Sequence, residues 1–355
     1  KFLVDMNPVF MQRCFDLARL GNGQTSPNPS VGAVLVYQDR IIGEGWHRQY
    51  GGAHAEVNAL ANVLPEHRAL IPQSTIYVSL EPCHHFGKTP PCVDLILRER
   101  IPKVVIAQTD PHDKVAGQSI QKLRNHGVEV IETILTEDAT WVTRPFVKNI
   151  MLQKPYIILK WAESADGFMG APDKPIWLSN AFTKRLSHRW RNEVDGILVG
   201  ANTVLIDNPG LDNRLWYGKS PVRIVLDGHG RVGACLNQGL KIFDDSIKTL
   251  IYSHVQPNPK RQEDFHQTFF KTLRSHHPDA LLKDLFQEKI GILLVEGGAT
   301  VLNFFIQHNL WDEARVFKTN KWLQYGVVAP KMIVNNPPQI LQILDNQLYL
   351  HQNQR

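Results

Sequence analysis

Glu81-Pro82-Cys83-His84-His85-Phe86-Gly87-Lys88-Thr89-Pro90-Pro91-Cys92 holds two of the chain's four cysteines, each preceded by a proline. An apolar strand over Ile76–Leu80 leads into it, and a helix over Val93–Arg100, stopped by Pro102, leads out. Upstream, His54-Ala55-Glu56 sits in a helical stretch over Ala53–Leu64 that stops at Pro65. Among fifteen histidines a lone H-x-E is unremarkable, and by itself it reads as a solvated helix turn. The two cysteines change its meaning. Zinc takes thiolate and imidazole ligands in tetrahedral geometry, and a catalytic zinc keeps three protein ligands with water in the fourth position. His54, Cys83 and Cys92 make three. Zinc lowers the pKa of that water to about 7. Glu56 stays off the metal, within reach of the water, as a proton carrier. Cys92 at a helix start gains from the positive end of the helix dipole, which favours thiolate. A structural site closed by His84 or His85 is the alternative, and it leaves Glu56 without a task.

The surrounding chain alternates helix and strand. Met11, Phe15 and Ala18 recur at helical spacing, Val31–Tyr37 reads as a buried strand, and Gly43–Gly45 as a turn. Val104–Ala107 and Val128–Ile131 are strands, with a helix over Ser119–His126 closed by Gly127 between them. Such alternation predicts a sheet covered by helices on both faces. The pattern changes in the basic stretch Arg144–Lys154, ahead of Pro155, so a domain boundary is expected there, giving domains 1–150 and 151–355. A second alternating series follows. Tyr156–Trp161, Gly196–Gly200, Val222–Asp227 and Ile292–Val295 are strands; Asn180–Val194 and Thr300–His308 are helices. Residues 254–290 are polar and carry no clear pattern, and Gln347–Leu350 alternates as a final strand. The basic stretch Lys184–Arg191 reads as one polar helix face.

With 355 residues, 43% hydrophobic and 21% charged, the chain suits two globular domains. The composition excludes a disordered tail, a disulfide miniprotein and a fibrous repeat. A net charge of +5 with no dense Lys/Arg run favours an anionic small molecule over nucleic acid. No apolar run approaches the ~18–20 residues of a membrane span, and the first residues carry no signal-peptide pattern. Four unevenly spaced cysteines, two beside histidines, point to a metal and a reducing compartment, hence a cytoplasmic protein.

The second half lacks G-x-G-x-x-G. Its informative pieces are Val295-Glu296-Gly297-Gly298-Ala299-Thr300, a strand, two glycines and a helix start, and Leu198–Val204 running into Asp207-Asn208-Pro209. Glycines let backbone amides approach a phosphate, which a helix N-terminus attracts. An ordinary strand–helix turn is the plain alternative.

H-x-E followed by P-C-x-x-C marks zinc nucleobase deaminases, but here eight residues, not two, separate the cysteines. That longer loop, with Pro27-Asn28-Pro29-Ser30-Val31-Gly32-Ala33-Val34, His54-Ala55-Glu56 and Asp110-Pro111, resembles the deaminase half of the bifunctional riboflavin-biosynthesis deaminase/reductase family, RibD. Ser164-Ala165-Asp166-Gly167, Trp177, Leu211, Arg214 and both pieces above are similar to its reductase half. The resemblance implies an α/β chain with a cytidine-deaminase-like domain and a dihydrofolate-reductase-like domain. It implies zinc on His54, Cys83 and Cys92, with Glu56 as proton shuttle, and deaminase substrate contacts at Asn28, His47, His85 and Lys88. In the reductase half it implies NADPH against Trp177, Thr203, Asp207 and Gly298, and substrate against Arg191, Leu211, Arg214 and Glu296. The implied activity is deamination of 2,5-diamino-6-(5-phosphoribosylamino)pyrimidin-4(3H)-one, then NADPH reduction of the ribosyl group to ribityl, in a homo-oligomer, dimer or tetramer. Two positions depart from the family, Pro175 and Glu163; an acidic Glu163 suits NADPH phosphates only if it points away. Competing readings are a nucleic-acid deaminase, which needs aromatics interleaved with Lys/Arg along a groove, a non-catalytic zinc-stabilised binding module, and a chain with one active half.

Overall fold

A computed structural model describes residues 7–353 except 85, 87–89, 112–115, 133–135, 172–175, 256–264 and 274–276; for 136–141 and 237 only the backbone is described. The chain divides into two compact units, Lys1–Gln153 and Lys154–Arg355.

The first unit runs α1 (Pro8–Leu20), β1 (Gly32–Tyr37), β2 (Arg40–Trp46), α2 (Ala55–Ala61), a 3-10 stretch (Pro65–Gln73), β3 (Thr75–Val78), α3 (Cys92–Arg98), β4 (Lys103–Ile106), α4 (Gln118–Asn125), β5 (Glu129–Glu132) and α5 (Thr136–Leu152). The sheet order is β2-β1-β3-β4-β5, antiparallel at β2-β1-β3 and parallel from β3 to β5. Strand period two splits β1 between two cores: Ala33 and Leu35 pack with Ala55, Ala59, Val93 and Ile96, while Val34 and Val36 pack with Phe10, Met11 and Phe15 of α1. Helices thus cover both faces.

Gly43 and Gly45 lie within β2, not in a turn. The turn is at Gln38 and Asp39, both at positive φ. The glycines are there because α2 crosses β2 at backbone distance: a Cβ on Gly45 would lie 2.4 Å from the Ala59 nitrogen, and one on Gly43 2.4 Å from the Ala59 oxygen. Residues 144–152 are helical, with Pro145 inside α5.

The second unit runs β6 (Tyr156–Glu163), β7 (Phe168–Gly170), α6 (Ala181–Glu193), β8 (Gly196–Gly200), α7 (Ala201–Asp207), β9 (Val222–Leu226), α8 (Arg231–Ala234), β10 (Thr249–Ser253), β11 (Thr268–Thr272), α9 (Pro278–Gln287), β12 (Ile292–Val295), α10 (Ala299–Gln307), β13 (Glu313–Thr319), β14 (Val327–Val328), β15 (Gln339–Ile343) and β16 (Asn346–Gln352), with short 3-10 turns after α8. Its large sheet has the order β11-β10-β9-β8-β12-β6-β13-β16-β15. It is parallel from β11 to β13 and antiparallel at β13-β16-β15. Asn180 caps α6, its Oδ1 accepting the N–H groups of Phe182 and Thr183, each at 2.9 Å. The patternless 254–290 region supplies β11 and α9, and the region before the final strand supplies β13, which pairs with it.

Candidate active sites

His54 is the residue before α2, Glu56 lies in that helix's first turn, and Cys92 opens α3. Cys83 follows β3 by five residues, held from behind by its neighbour Glu81. Buried Glu81 accepts the N–H groups of Asp110 (3.0 Å), Gly117 (3.0 Å) and Ser119 (3.2 Å) and the Ser119 hydroxyl (2.6 Å). The cysteine loop is therefore tied to the 110–119 segment.

The His54 Nδ1 lies 3.4 Å from each sulfur, Cys83 Sγ and Cys92 Sγ. Zn–S and Zn–N bond lengths at tetrahedral angles put nitrogen and sulfur about 3.5 Å apart, so this donor set fits zinc. Among the described residues the group able to hold a metal is His54, Cys83 and Cys92, without His84. The Cys92 N–H donates to Cys83 Sγ at 3.3 Å, so the helix start favours Cys83. The two thiols share a proton, and His54 and the Cys92 N–H favour the thiolate on Cys83. Glu56 is 3% exposed. Burial, then the Cys83 charge, raises its carboxyl to about 7.

Asn28 and His47 meet beside this set. His47 Nδ1 lies 3.0 Å from the Ala53 carbonyl and its Nε2 lies 3.2 Å from Asn28 Nδ2. The carbonyl requires a proton on Nδ1, so Nε2 accepts from the Asn28 amide. Burial lowers the His47 pKa and keeps the ring neutral. The ring stands edge-on to His54, centroids 5.3 Å apart. His85 and Lys88 lie outside the described residues.

In the second unit, a cleft of about 800 Å3 opens at the C-terminal ends of β6, β12, β8 and β9, where parallel sheets bind ligands. All eight reductase residues predicted from the sequence line it: Trp177, Arg191, Thr203, Asp207, Leu211, Arg214, Glu296 and Gly298. Their roles differ. The two glycines do separate things: a Cβ on Gly297 would lie 2.5 Å from the Val199 Cα, so that position serves sheet packing. The Gly298 N–H donates to Thr203 Oγ1 at 3.0 Å. The next two N–H groups, of Ala299 and Thr300, begin α10 at the cleft wall. Trp177 stands at the rim, 66% exposed, with Lys184 Nζ 4.8 Å from its ring centroid. The Asp207 carboxyl is raised by burial.

Arg191 is committed inside the protein. Its Nε and Nη2 donate to the two Glu296 oxygens at 3.0 and 2.8 Å, and Nη1 donates to the Asp212 carbonyl at 2.9 Å. Lys160 Nζ lies 3.8 Å from the same carboxylate. Burial pushes the Glu296 carboxyl up, but Arg191 and Lys160 outweigh it and hold it at about 2. The Lys160 ammonium is lowered by burial, against the pull of Glu296. Arg214 pairs with Asp212 and is half exposed at the cleft. His188, absent from the sequence-based set, also lines it; burial, then Arg191 and Arg214, lowers it to about 4, and its Nδ1 accepts the Arg214 N–H at 3.3 Å. Thus one side of α6 (Lys184, Ser187, His188 and Arg191) faces the cleft rather than forming a plain solvated face. Glu163 accepts from Trp161 Nε1 at 2.9 Å, pairs with Lys318 at 3.0 Å and does not line the cleft. Pro175 lies outside the described residues.

Comparison with known proteins gives matches over both units. The cytidine and deoxycytidylate deaminase zinc-binding region matches residues 6–108, and the RibD C-terminal domain matches 155–323. The chain is 35% identical over 329 residues to the riboflavin biosynthesis protein RibD of Aquifex aeolicus, covering 91% of this chain and 89% of that one. It is 36% identical to the protein of the same name from Bacillus amyloliquefaciens, over 92% of this chain and 88% of that one. A solved diaminohydroxyphosphoribosylaminopyrimidine deaminase/5-amino-6-(5-phosphoribosylamino)uracil reductase from Thermotoga maritima superposes with a TM-score of 0.84 at 32% identity, covering 97% of this chain and 98% of that one.

Proposed function

The chain belongs to the RibD family, the bifunctional deaminases and reductases of riboflavin biosynthesis, and from that premise we propose how its residues divide the two reactions. Residues 1–150 carry the deaminase and 151–355 the reductase. The substrate is 2,5-diamino-6-(5-phosphoribosylamino)pyrimidin-4(3H)-one; the first product is the corresponding uracil and the second its ribitylamino form.

In the deaminase half, His54, Cys83 and Cys92 hold zinc, which when bound makes a water nucleophilic at neutral pH. Water adds to the amine-bearing ring carbon, and ammonia leaves. Glu56 takes the water's proton, gives it to the ring nitrogen, and then serves the departing amine. Burial of Glu56 keeps bulk water from competing for that proton. Asn28, oriented by its hydrogen bond to His47, reads the polar edge of the substrate; His85 and Lys88 hold its phosphate side.

In the reductase half, NADPH when bound supplies a hydride to C1 of the ring-opened ribose. The Ala299 and Thr300 N–H groups at the start of α10 receive the cofactor's diphosphate, with Thr203, Trp177, Asp207 and Gly298 around the dinucleotide. Arg214 and the neutral His188 hold the substrate; Leu211 supplies an apolar wall. Glu296 and Arg191 act as one unit that fixes this wall and keeps Lys160 in place. Hydride addition to C1 of the ring-opened imine also needs a proton at the adjoining nitrogen, and the buried Lys160 ammonium beside Glu296 would supply it. The protein acts as a homo-oligomer, dimer or tetramer, in the cytoplasm, which light scattering and cell fractionation test.

The observation that carries the reading is the convergence of His54 Nδ1, Cys83 Sγ and Cys92 Sγ within 4.8 Å of one another, with Glu56 buried beside them. Mass spectrometry of the diaminopyrimidinone ribotide tests it. An amino-to-oxo change is expected without NADPH, and a further gain of two hydrogens with it. No change with zinc bound overturns the substrate.

A further inference from the structure

We propose that His188 is a positioning residue of the reductase: its Nδ1 holds the backbone of Arg214 and so aims that guanidinium at the phosphate of the substrate. The inference rests on the substrate reading above and states how His188 acts within it, through Arg214.

The segment that carries Arg214 has little backbone support. Residues 209–220 are neither helix nor strand, and among the described residues none of them makes a backbone–backbone hydrogen bond. Buried Leu211, near its start, has a φ of +52°. Residues other than glycine take that left-handed conformation only where the surroundings enforce it.

Side chains hold the segment, most of them from α6. His188, Arg191 and Asn192 stand at i, i+3 and i+4 and share one face of that helix. Arg191 Nη1 donates to the Asp212 carbonyl at 2.9 Å, His188 Nδ1 accepts the Arg214 N–H at 3.3 Å, and Asn192 Oδ1 accepts the Lys219 N–H at 3.0 Å. Ser220 Oγ accepts the Asn213 N–H at 3.0 Å and closes the segment on itself. Arg191 is in turn locked by Glu296. The Arg214 guanidinium is half exposed and pairs with the Asp212 carboxylate. Its direction therefore follows from the backbone at 212 and 214, one fixed by Arg191 and the other by His188.

The ring can do this in one state only. To accept an N–H, Nδ1 must be bare, which puts the ring proton on Nε2. His188 is 2% exposed. Burial, then Arg191 and Arg214, lower its pKa to about 4 against the opposite pull of Asp212 and Glu296. The ring is thus neutral at neutral pH and keeps the lone pair.

The test is steady-state reduction of 5-amino-6-(5-phosphoribosylamino)uracil by the full zinc-loaded chain at neutral pH, with calorimetric titration of the same compound. His188→Ala is expected to raise its KM and Kd about tenfold, the scale of leaving one buried donor unpaired. The kcat and the KM for NADPH should stay within about twofold, as a loss of uniform binding requires. His188→Asn, whose Oδ1 takes the place of Nδ1, is expected to recover most of the loss. The double variant of His188→Ala with Arg214→Ala should be no worse than Arg214→Ala alone, because one side chain acts through the other. Thermal unfolding and the deaminase rate show that the variants fold; if His188→Ala does not, His188→Leu, which keeps volume without an acceptor, takes its place. Additive losses overturn the proposal, as does an Asn variant no better than Ala. An unchanged KM in Arg214→Ala overturns the substrate reading on which the proposal rests.

Discussion

Replacing Glu296 by Gln isolates the ion-pair network under the reductase cleft. The carboxylate is 9% exposed in its side chain, receives two Arg191 N–H bonds and lies 3.8 Å from Lys160. Gln keeps the shape and removes the charge, leaving two buried cations to face each other. Holding a carboxyl at about 2 instead of its ordinary 4.5 corresponds to about 3 kcal/mol in favour of the charged, folded form. Breaking a buried pair by removing one partner costs about 3–5 kcal/mol, so the two routes agree. For a unit of this size, each kcal/mol moves the midpoint by about 2–4 °C. Scanning calorimetry is therefore expected to show the transition of the 154–355 unit falling by about 6–12 °C, with the other unit unmoved. The pH dependence carries a sign. A depressed carboxyl contributes stability fully above its ordinary pKa and loses it as pH falls from about 4.5 to about 2. Wild type and variant should thus differ by a constant amount at neutral pH and converge in acid. A midpoint shift below about 2 °C, or one that persists unchanged at pH 2, refutes a buried network and makes Arg191 a hydrated cation.

The zinc centre yields three sharper outcomes. Glu56→Gln is expected to lower deamination by about 10²–10⁴-fold while metal analysis still finds zinc, and to leave reduction of preformed aminouracil substrate intact. Cys83→Ser should lose zinc and deamination together, and chelation of the wild type should do the same without touching NADPH oxidation. Gly45→Ala puts a Cβ 2.4 Å from the Ala59 nitrogen; overpacking of that kind costs about 1–3 kcal/mol, so the first unit's melting point should fall and zinc affinity with it, because α2 carries Glu56 and follows His54.

The strands and helices with clean periods were legible. The continuous apolar runs that became β1, β3, β4 and β8, and the helix-to-strand alternation, predicted a sheet covered on both faces. What failed did so for identifiable reasons. Gly43 and Gly45 look like turn residues because glycine serves both turns and close backbone approach, and only the position of α2 decides between them. Pro145 and a basic composition disguised the last turns of α5. In β11, exposed Phe269 alternates too weakly against polar neighbours to announce a strand; its backbone partner β10 completes it. The pairing of β13 with β16 joins segments far apart in the chain, which no local pattern records.

The sites divide along the same line. His54, Cys83 and Cys92 could be named because thiolate and imidazole are rare residue types whose chemistry is specific. Arg191 could be placed at the cleft but not in its role: an arginine written beside polar residues looks available for a phosphate, and only the fold brings Glu296, 105 residues away in sequence, to take two of its N–H groups. Lys160 did leave a trace, as the lone charge in the apolar strand Tyr156–Trp161. A cation there must be buried or the strand must lie at an edge. Since β6 has β12 and β13 on its two sides, burial follows, and a buried ammonium requires a carboxylate. That reasoning leads from one anomalous residue to the Glu296 network without any motif.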